Sequence, residues 1–284
     1  MTGPFTEELS GYEIPVEYLI IPSGTFAQAM VSVSLPVDYE KHPEKKYPLV
    51  LAFGGAGECM RPPRQGALAW VKYYKADEAV RALEDNLLNQ DDFRGLVTPA
   101  QLHKFNEGLE HHPYGGVILA CPYSPPLSVA ERLDLPAYET FIMKELIPEL
   151  KKRYRIAPQG VGVDGVSMGG ARSMYYGFKY PEVFSSIGSV QGAFAPFMRV
   201  YEHLVKRNRE ALKDRAIQLI TSDGDSMARS VEKMHRMLRA NGIPHVYLTL
   251  TGPHDYIFNQ GPGSLAVLLF HNQALRFRAS GPVR

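Results

Sequence analysis

Two cysteines, Cys59 and Cys121, are all that this chain contains. That is too few for a disulfide framework, so buried free thiols are expected at both positions. Charge of one sign is also missing. The formal net charge is +1, which removes any electrostatic case for binding nucleic acid or an anionic membrane. No apolar run is long enough to span a bilayer. Met1–Ser10 is polar and acidic, without a basic region followed by a hydrophobic one. The expectation is therefore a cytoplasmic protein, or an exported one whose leader has been removed. Internal repeats, low-complexity segments and linkers are absent. His111-His112 is the one paired histidine step, and no carboxylate spacing completes a metal site around it. No metal and no organic cofactor are expected.

What remains is a globular composition, 45% hydrophobic and 21% charged over 284 residues. That suffices for one large α/β domain or two small ones. Residues 12–37 contain two or three strands. Val16–Ile21 and Ala29–Leu35 are rich in strand-forming residues, with the turn Pro22-Ser23-Gly24 between them. Tyr47–Phe53 (YPLVLAF) is a continuous apolar run, as a strand buried on both faces requires. It ends in Gly54-Gly55-Ala56-Gly57, a loop with almost no side chains. Residues 60–112 carry more charge and read as helical, with Val80, Leu83 and Leu87 on one face. Thr98-Pro99-Ala100-Gln101 has the form of a capping box with proline at the first helical position. Gly115–Ala120 is a further strand, ending at Cys121-Pro122-Tyr123.

Beyond it, Pro136–Tyr154 forms a helix in which Pro148 is a kink point. Phe184–Val190, Ala216–Thr221 and His245–Leu250 are strands. Phe197–Leu212, a stretch from Met227 through Leu238, and Ser264–Phe277 are helices. Alternation of strand and helix from residue 47 onward implies a mostly parallel sheet covered on both faces. The chain is expected to be one domain, residues 1–284, with 60–112 as a helical insertion.

Within this alternation sits Gly165-Val166-Ser167-Met168-Gly169-Gly170. Before it, Gly160–Asp164 alternates β-branched and small residues. After it, Ala171, Met174, Tyr175 and Phe178 fall on one helical stripe. The serine therefore stands where strand becomes helix, the form of a nucleophile elbow. A serine hydroxyl needs a base within hydrogen-bond reach and an acid to orient that base. In open parallel sheets such groups collect at the carboxyl ends of strands. His254, in Gly252-Pro253-His254-Asp255-Tyr256, follows the last strand directly. Asp223 and Asp225 both follow the strand before it. Asp225 is preferred, with Asp223 as the alternative. The order Ser, Asp, His excludes the chymotrypsin and subtilisin arrangements.

An oxyanion hole needs two backbone donors. Met168, next to the nucleophile, supplies one, and Gly55 is the first choice for the other, with Ala56 second. Trp70, Tyr73 and Tyr74 lie at helical spacing and are expected in the core. Ala56, Tyr123 and Tyr256 are candidates for substrate contact.

These motifs resemble those of the α/β-hydrolase superfamily, in the esterase branch that includes feruloyl and acetyl-xylan esterases, S-formylglutathione hydrolases, enterochelin-type esterases and mycolyl transferases. The similarity runs from about Tyr47 to the end. Its most specific stretch is Asp164–Phe194, where Gly-x-Ser-Met-Gly-Gly is followed by Tyr180-Pro181-Glu182-Val183-Phe184 and Gly192-Ala193. Ser222–Asp225 resembles the branch's Gly-x-x-Asp acid turn, and Gly252–Tyr256 its Gly-x-His-Asp-Trp turn. Two positions depart from the pattern: Phe53-Gly54 stands where His-Gly is usual, and the acid turn begins with Ser222. The resemblance implies an α/β-hydrolase fold, antiparallel strands at the start, and a serine carboxylesterase acting through Ser167, His254 and Asp225 on a small-molecule or carbohydrate-linked ester. Acyl transfer to another alcohol by the same triad, and a non-catalytic binding protein on the same fold, are the alternatives.

Overall fold

The structure, a computed structural model, describes residues 5–27, 29–126 and 135–276. Met1–Pro4 and Phe277, parts of two sequence expectations, lie outside the described residues. Nine strands form one sheet among the described residues. They are β1 (Phe5–Leu9), β2 (Val16–Ile20), β3 (Met30–Ser34), β4 (Tyr47–Phe53), β5 (Ile118–Pro122), β6 (Ile156–Gly165), β7 (Phe184–Val190), β8 (Ala216–Gly224) and β9 (Val246–Pro253). Their spatial order is β1-β2-β3-β5-β4-β6-β7-β8-β9. The pairs from β1 to β5 are antiparallel, and every pair from β5 through β9 is parallel.

Strand β4 shows why the sequence folds this way. All seven residues are buried. Because side chains alternate across a strand, Leu49, Leu51 and Phe53 enter the core on one face of the sheet. Val50 and Ala52 enter the core on the other. Each large apolar side chain so buried contributes about 1.5–3 kcal/mol. From β4 the chain crosses to β5 on one side, and from β6 onward it proceeds on the other. In open α/β sheets such a reversal is where ligands bind, outside the carboxyl ends of the flanking strands, here β4 and β6.

The sequence expectations depart from the fold at several points. Strand β1 is absent from them: FTEEL is short and polar, and it pairs only with β2 at the rim of the sheet. Leu87 lies beyond the helix Ala76–Glu84 and is exposed, while Val80 and Leu83 are buried. Pro136–Arg153 is helical throughout, but a π-helical turn, Phe141–Leu146, precedes Pro148. A local π turn is one way to accommodate the missing proline N–H. Phe197–Leu212 breaks at Asn208, whose side-chain amide donates to the Phe178 carbonyl (2.7 Å). The capping box at Thr98 forms in both directions. Cys59 and Cys121 are buried free thiols. No helix among the described residues is long and apolar enough to cross a membrane.

Candidate active site

Ser167, Asp225 and His254 stand just past the carboxyl ends of β6, β8 and β9. Ser167 has φ +55° and ψ −110°, a strained backbone for any residue with a side chain. The turn is fixed by backbone bonds. Ser167 N–H donates to the Val190 carbonyl (2.8 Å), and the Ser167 carbonyl accepts from Ala171 and Ala193 (3.1 and 3.0 Å). Its flanking glycines are a packing requirement. A Cβ on Gly165 would lie 2.3 Å from the Gly169 backbone, and one on Gly169 would lie 2.4 Å from the Phe53 carbonyl oxygen. Any larger residue would push the elbow helix, Met168–Lys179, off the ends of β6 and β4.

The structure brings Asp225 and His254 together. His254 Nδ1 donates to Asp225 Oδ1 at 2.7 Å. The same oxygen accepts from Met227 N–H (2.7 Å), and Oδ2 accepts from the Thr221 hydroxyl (2.7 Å). The Asp225 side chain is fully buried, whereas that of His254 is 21% exposed. Three donors thus fix a carboxylate that in turn fixes the histidine tautomer, with the proton on Nδ1 and a bare Nε2. Asp223 is exposed, and its carboxylate accepts from Gly252 N–H (3.0 Å). It shapes the histidine loop and does not reach the ring. Gln191 holds the two loops together, its amide donating to Ser222 Oγ (2.8 Å) and to the Pro253 carbonyl (3.0 Å). Among the described residues the Ser167 hydroxyl makes no hydrogen bond.

The loop after β4, expected to supply an oxyanion donor, departs from one expectation. Gly55 is buried, and its N–H donates to the Tyr74 hydroxyl at 2.8 Å. That donor points into the protein. Ala56 is exposed and is the first residue of the short helix Ala56–Cys59, where a backbone N–H has no intrahelical acceptor. Tyr123 is also corrected. It is 5% exposed and its hydroxyl donates to the Cys59 carbonyl (3.0 Å), so it props this helix from below. Tyr256 is 39% exposed. Trp70 and Tyr74 are buried as expected. Burial raises the Cys59 thiol to about 11, which leaves it protonated and no rival nucleophile. No group of three or more His, Cys, Asp or Glu among the described residues is arranged to hold a metal ion.

Sequence reasoning missed Thr221, Gln191, Tyr74 and Glu58. Glu58 is buried, 3% exposed, and accepts from Tyr74 Oη and Tyr256 Oη, both at 2.5 Å. A glutamate one residue from a cysteine in a glycine-rich loop carries no local signal of burial.

Comparison with known proteins falls on the branch that the motifs resemble. Residues 112–247 match the family described as Putative esterase. The uncharacterized protein YbbA of Bacillus subtilis (strain 168) is 29% identical over 119 residues, which cover 40% of this chain and 46% of that protein. The matched segment thus spans about half the length of that curated relative. Among solved structures, a ferulic acid esterase superposes with a TM-score of 0.66 at 18% identity, covering 95% of this chain and 98% of its own. An S-formylglutathione hydrolase from Agrobacterium tumefaciens gives 0.65 at 13% identity, covering 96% and 100%. The enterobactin esterase FES from Shigella flexneri gives 0.57 at 16% identity, covering 93% of this chain and 60% of that one. The fold is the α/β-hydrolase fold.

Proposed function

We propose that this protein is a serine carboxylesterase that works through an acyl-enzyme. The observation that carries the reading is the 2.7 Å bond between His254 and a fully buried Asp225 at the carboxyl ends of β8 and β9, with a serine held at positive φ at the same end of β6 in the same sheet. In this reading the Ser167 oxygen attacks the ester carbonyl carbon while His254 Nε2 takes its proton. Charge that develops on the carbonyl oxygen is met by the backbone N–H groups of Met168 and Ala56. His254 then protonates the departing alcohol, and the C–O bond to it breaks. Water, deprotonated by the same ring, cleaves the Ser167 ester and restores the enzyme. Oxyanion donors are typically worth about 3 kcal/mol each, so the change of donor from Gly55 to Ala56 matters for rate. The substrate is read as a small-molecule or carbohydrate-linked ester. The match to an esterase family over 112–247 supports this class. Tyr256, half exposed and two residues past His254, is the side chain best situated to contact it. One continuous sheet supports a single domain with 60–112 as an insertion.

The test is hydrolysis of p-nitrophenyl acetate by wild type and Ser167→Ala, with fluorophosphonate labelling of both. Activity and labelling in the wild type only are expected. Undiminished hydrolysis by the mutant overturns the assignment. A panel of esters varying acyl length and aromatic character then identifies the preferred substrate class.

A further inference from the structure

We infer that Glu58 is a positioning residue that clamps the oxyanion loop to the histidine loop; this rests on the esterase reading above. The two loops leave the sheet far apart. The oxyanion loop follows β4 and the histidine loop follows β9, with β6, β7 and β8 between those strands. The strand ladder therefore gives them no direct link. Glu58 supplies one above the sheet. Its Oε2 accepts from Tyr74 Oη, which itself accepts from Gly55 N–H. Its Oε1 accepts from Tyr256 Oη, two residues past His254. A buried carboxylate thus ends in the oxyanion loop on one side and in the histidine loop on the other, with residues 198 positions apart in the sequence sharing one bond.

The chemistry of the side chain is specific. The Tyr74 hydroxyl already accepts from Gly55, so its own proton needs an acceptor. The Tyr256 hydroxyl carries a proton that needs an acceptor too, and Glu58 Oε1 takes it. A carboxylate offers an acceptor oxygen to each. A glutamine offers one oxygen and turns an NH2 toward the other tyrosine. Hydrogen bonds to a charged acceptor are the stronger kind, and in a water-poor setting they hold geometry well. Engaging Gly55 N–H from behind also fixes the direction of the next peptide, the one that carries the Ala56 N–H. Catalytic donors and bases must be held to within a fraction of an ångström, and a displacement of about 1 Å from a remote change can cost about a hundredfold in rate.

The experiment compares Glu58→Gln, Tyr256→Phe and the double variant with wild type on p-nitrophenyl acetate, after melting curves establish that each is folded. Glu58→Gln is expected to lower kcat by about ten- to a hundredfold with KM little changed. Its affinity for a trifluoromethyl ketone, which forms the oxyanion adduct, should fall in parallel, as for an interaction made only in the transition state. Tyr256→Phe should lower kcat less. The double variant should be no worse than Glu58→Gln, because both cut one link. A folded Glu58→Gln enzyme with unchanged kcat, or losses that add in the double variant, overturns the clamp. If Glu58→Gln does not fold, Tyr256→Phe decides alone: lower kcat at constant KM supports the clamp, and unchanged kcat overturns it. Wild type without esterase activity, or activity that survives Ser167→Ala, overturns the esterase reading instead. An active wild type, a dead Ser167→Ala and an unaffected Glu58→Gln overturn the clamp alone.

Discussion

His254–Asp225 and His271–Asp164 are the same chemical pair in two settings. In the second, His271 Nε2 lies 3.0 Å from Asp164 Oδ2, and His271 Nδ1 lies 2.7 Å from the Ser186 hydroxyl. By hydrogen bonding it is a complete Ser-His-Asp chain, more complete than the one at the strand ends. Yet the His271 and Asp164 side chains are both fully buried. Ser186 lies inside the regular strand β7, and His271 lies on the buried C-terminal helix Ser264–Arg276. Asp164 Oδ1 accepts from Gly165 N–H at 2.7 Å, so this group ties the last helix to the strand beneath the elbow. The other pair sits on two loops, with a partly open imidazole and a serine on a strained turn. In the esterase reading, composition of the constellation is therefore not what separates a catalytic site from a structural one. Position at the strand ends and access do.

The sharpest test of this contrast exchanges serine for alanine in each setting. Ser167→Ala should lower kcat on p-nitrophenyl acetate by about 10⁵–10⁶ with little change in melting temperature. Ser186→Ala should keep kcat within about threefold while costing about 1–3 kcal/mol of stability, as a buried His271 nitrogen loses its partner. The carboxylates come next. Asp225→Asn should lower kcat by about 10⁴, because the amide favours the wrong imidazole tautomer. Asp223→Asn should keep most of the activity, measured on the same ester.

His271→Leu should destabilise the fold by about 3–5 kcal/mol in urea melts, since it leaves Asp164 buried without its partner. The sign of its pH dependence follows from burial. Desolvation holds the Asp164 carboxyl above its ordinary range, and His271 is the main influence that opposes this. A folded value above the unfolded one means that the native state binds the extra proton. The associated stability is complete below the unfolded value and is lost as pH rises through the folded one. Removing His271 raises the carboxyl further, so the deficit against wild type should grow as pH rises above the ordinary carboxylate range. A deficit that shrinks over that rise would contradict this account. A smaller loss than that of Asp225→Asn is expected at Thr221→Val, which removes one of three donors to Asp225. One charge-assisted hydrogen bond of about 1.5 kcal/mol corresponds to about tenfold in kcat, readable by steady-state kinetics.

The elbow was legible because its signal is local: glycines around a serine at the point where hydrophobic periodicity changes from strand to helix. His254 was legible because it follows a strand directly, and Asp225 because two carboxylates stood in one turn. Choosing between Asp225 and Asp223 needed coordinates, as the residues differ only in which way a turn presents them. The engagement of Gly55 N–H was hidden for a similar reason. Gly55 and Ala56 are adjacent, and only the Tyr74 hydroxyl behind the loop decides which N–H faces outward. Tyr123 looked well situated at a strand end, but the helix Ala56–Cys59 packs over it.

What the sequence determined by itself is the alternation of elements, the turn at Ser167 and the order in which Ser167, Asp225 and His254 follow their strands. Each of these depends on neighbours within a few positions, through periodicity, turn chemistry and the end of a strand. The tertiary structure alone decided which Ser-His-Asp set is sealed and which is open, and that Glu58 joins loops 198 positions apart. Burial and long-range hydrogen bonds depend on which segments pack together, and no local pattern of residue types encodes that.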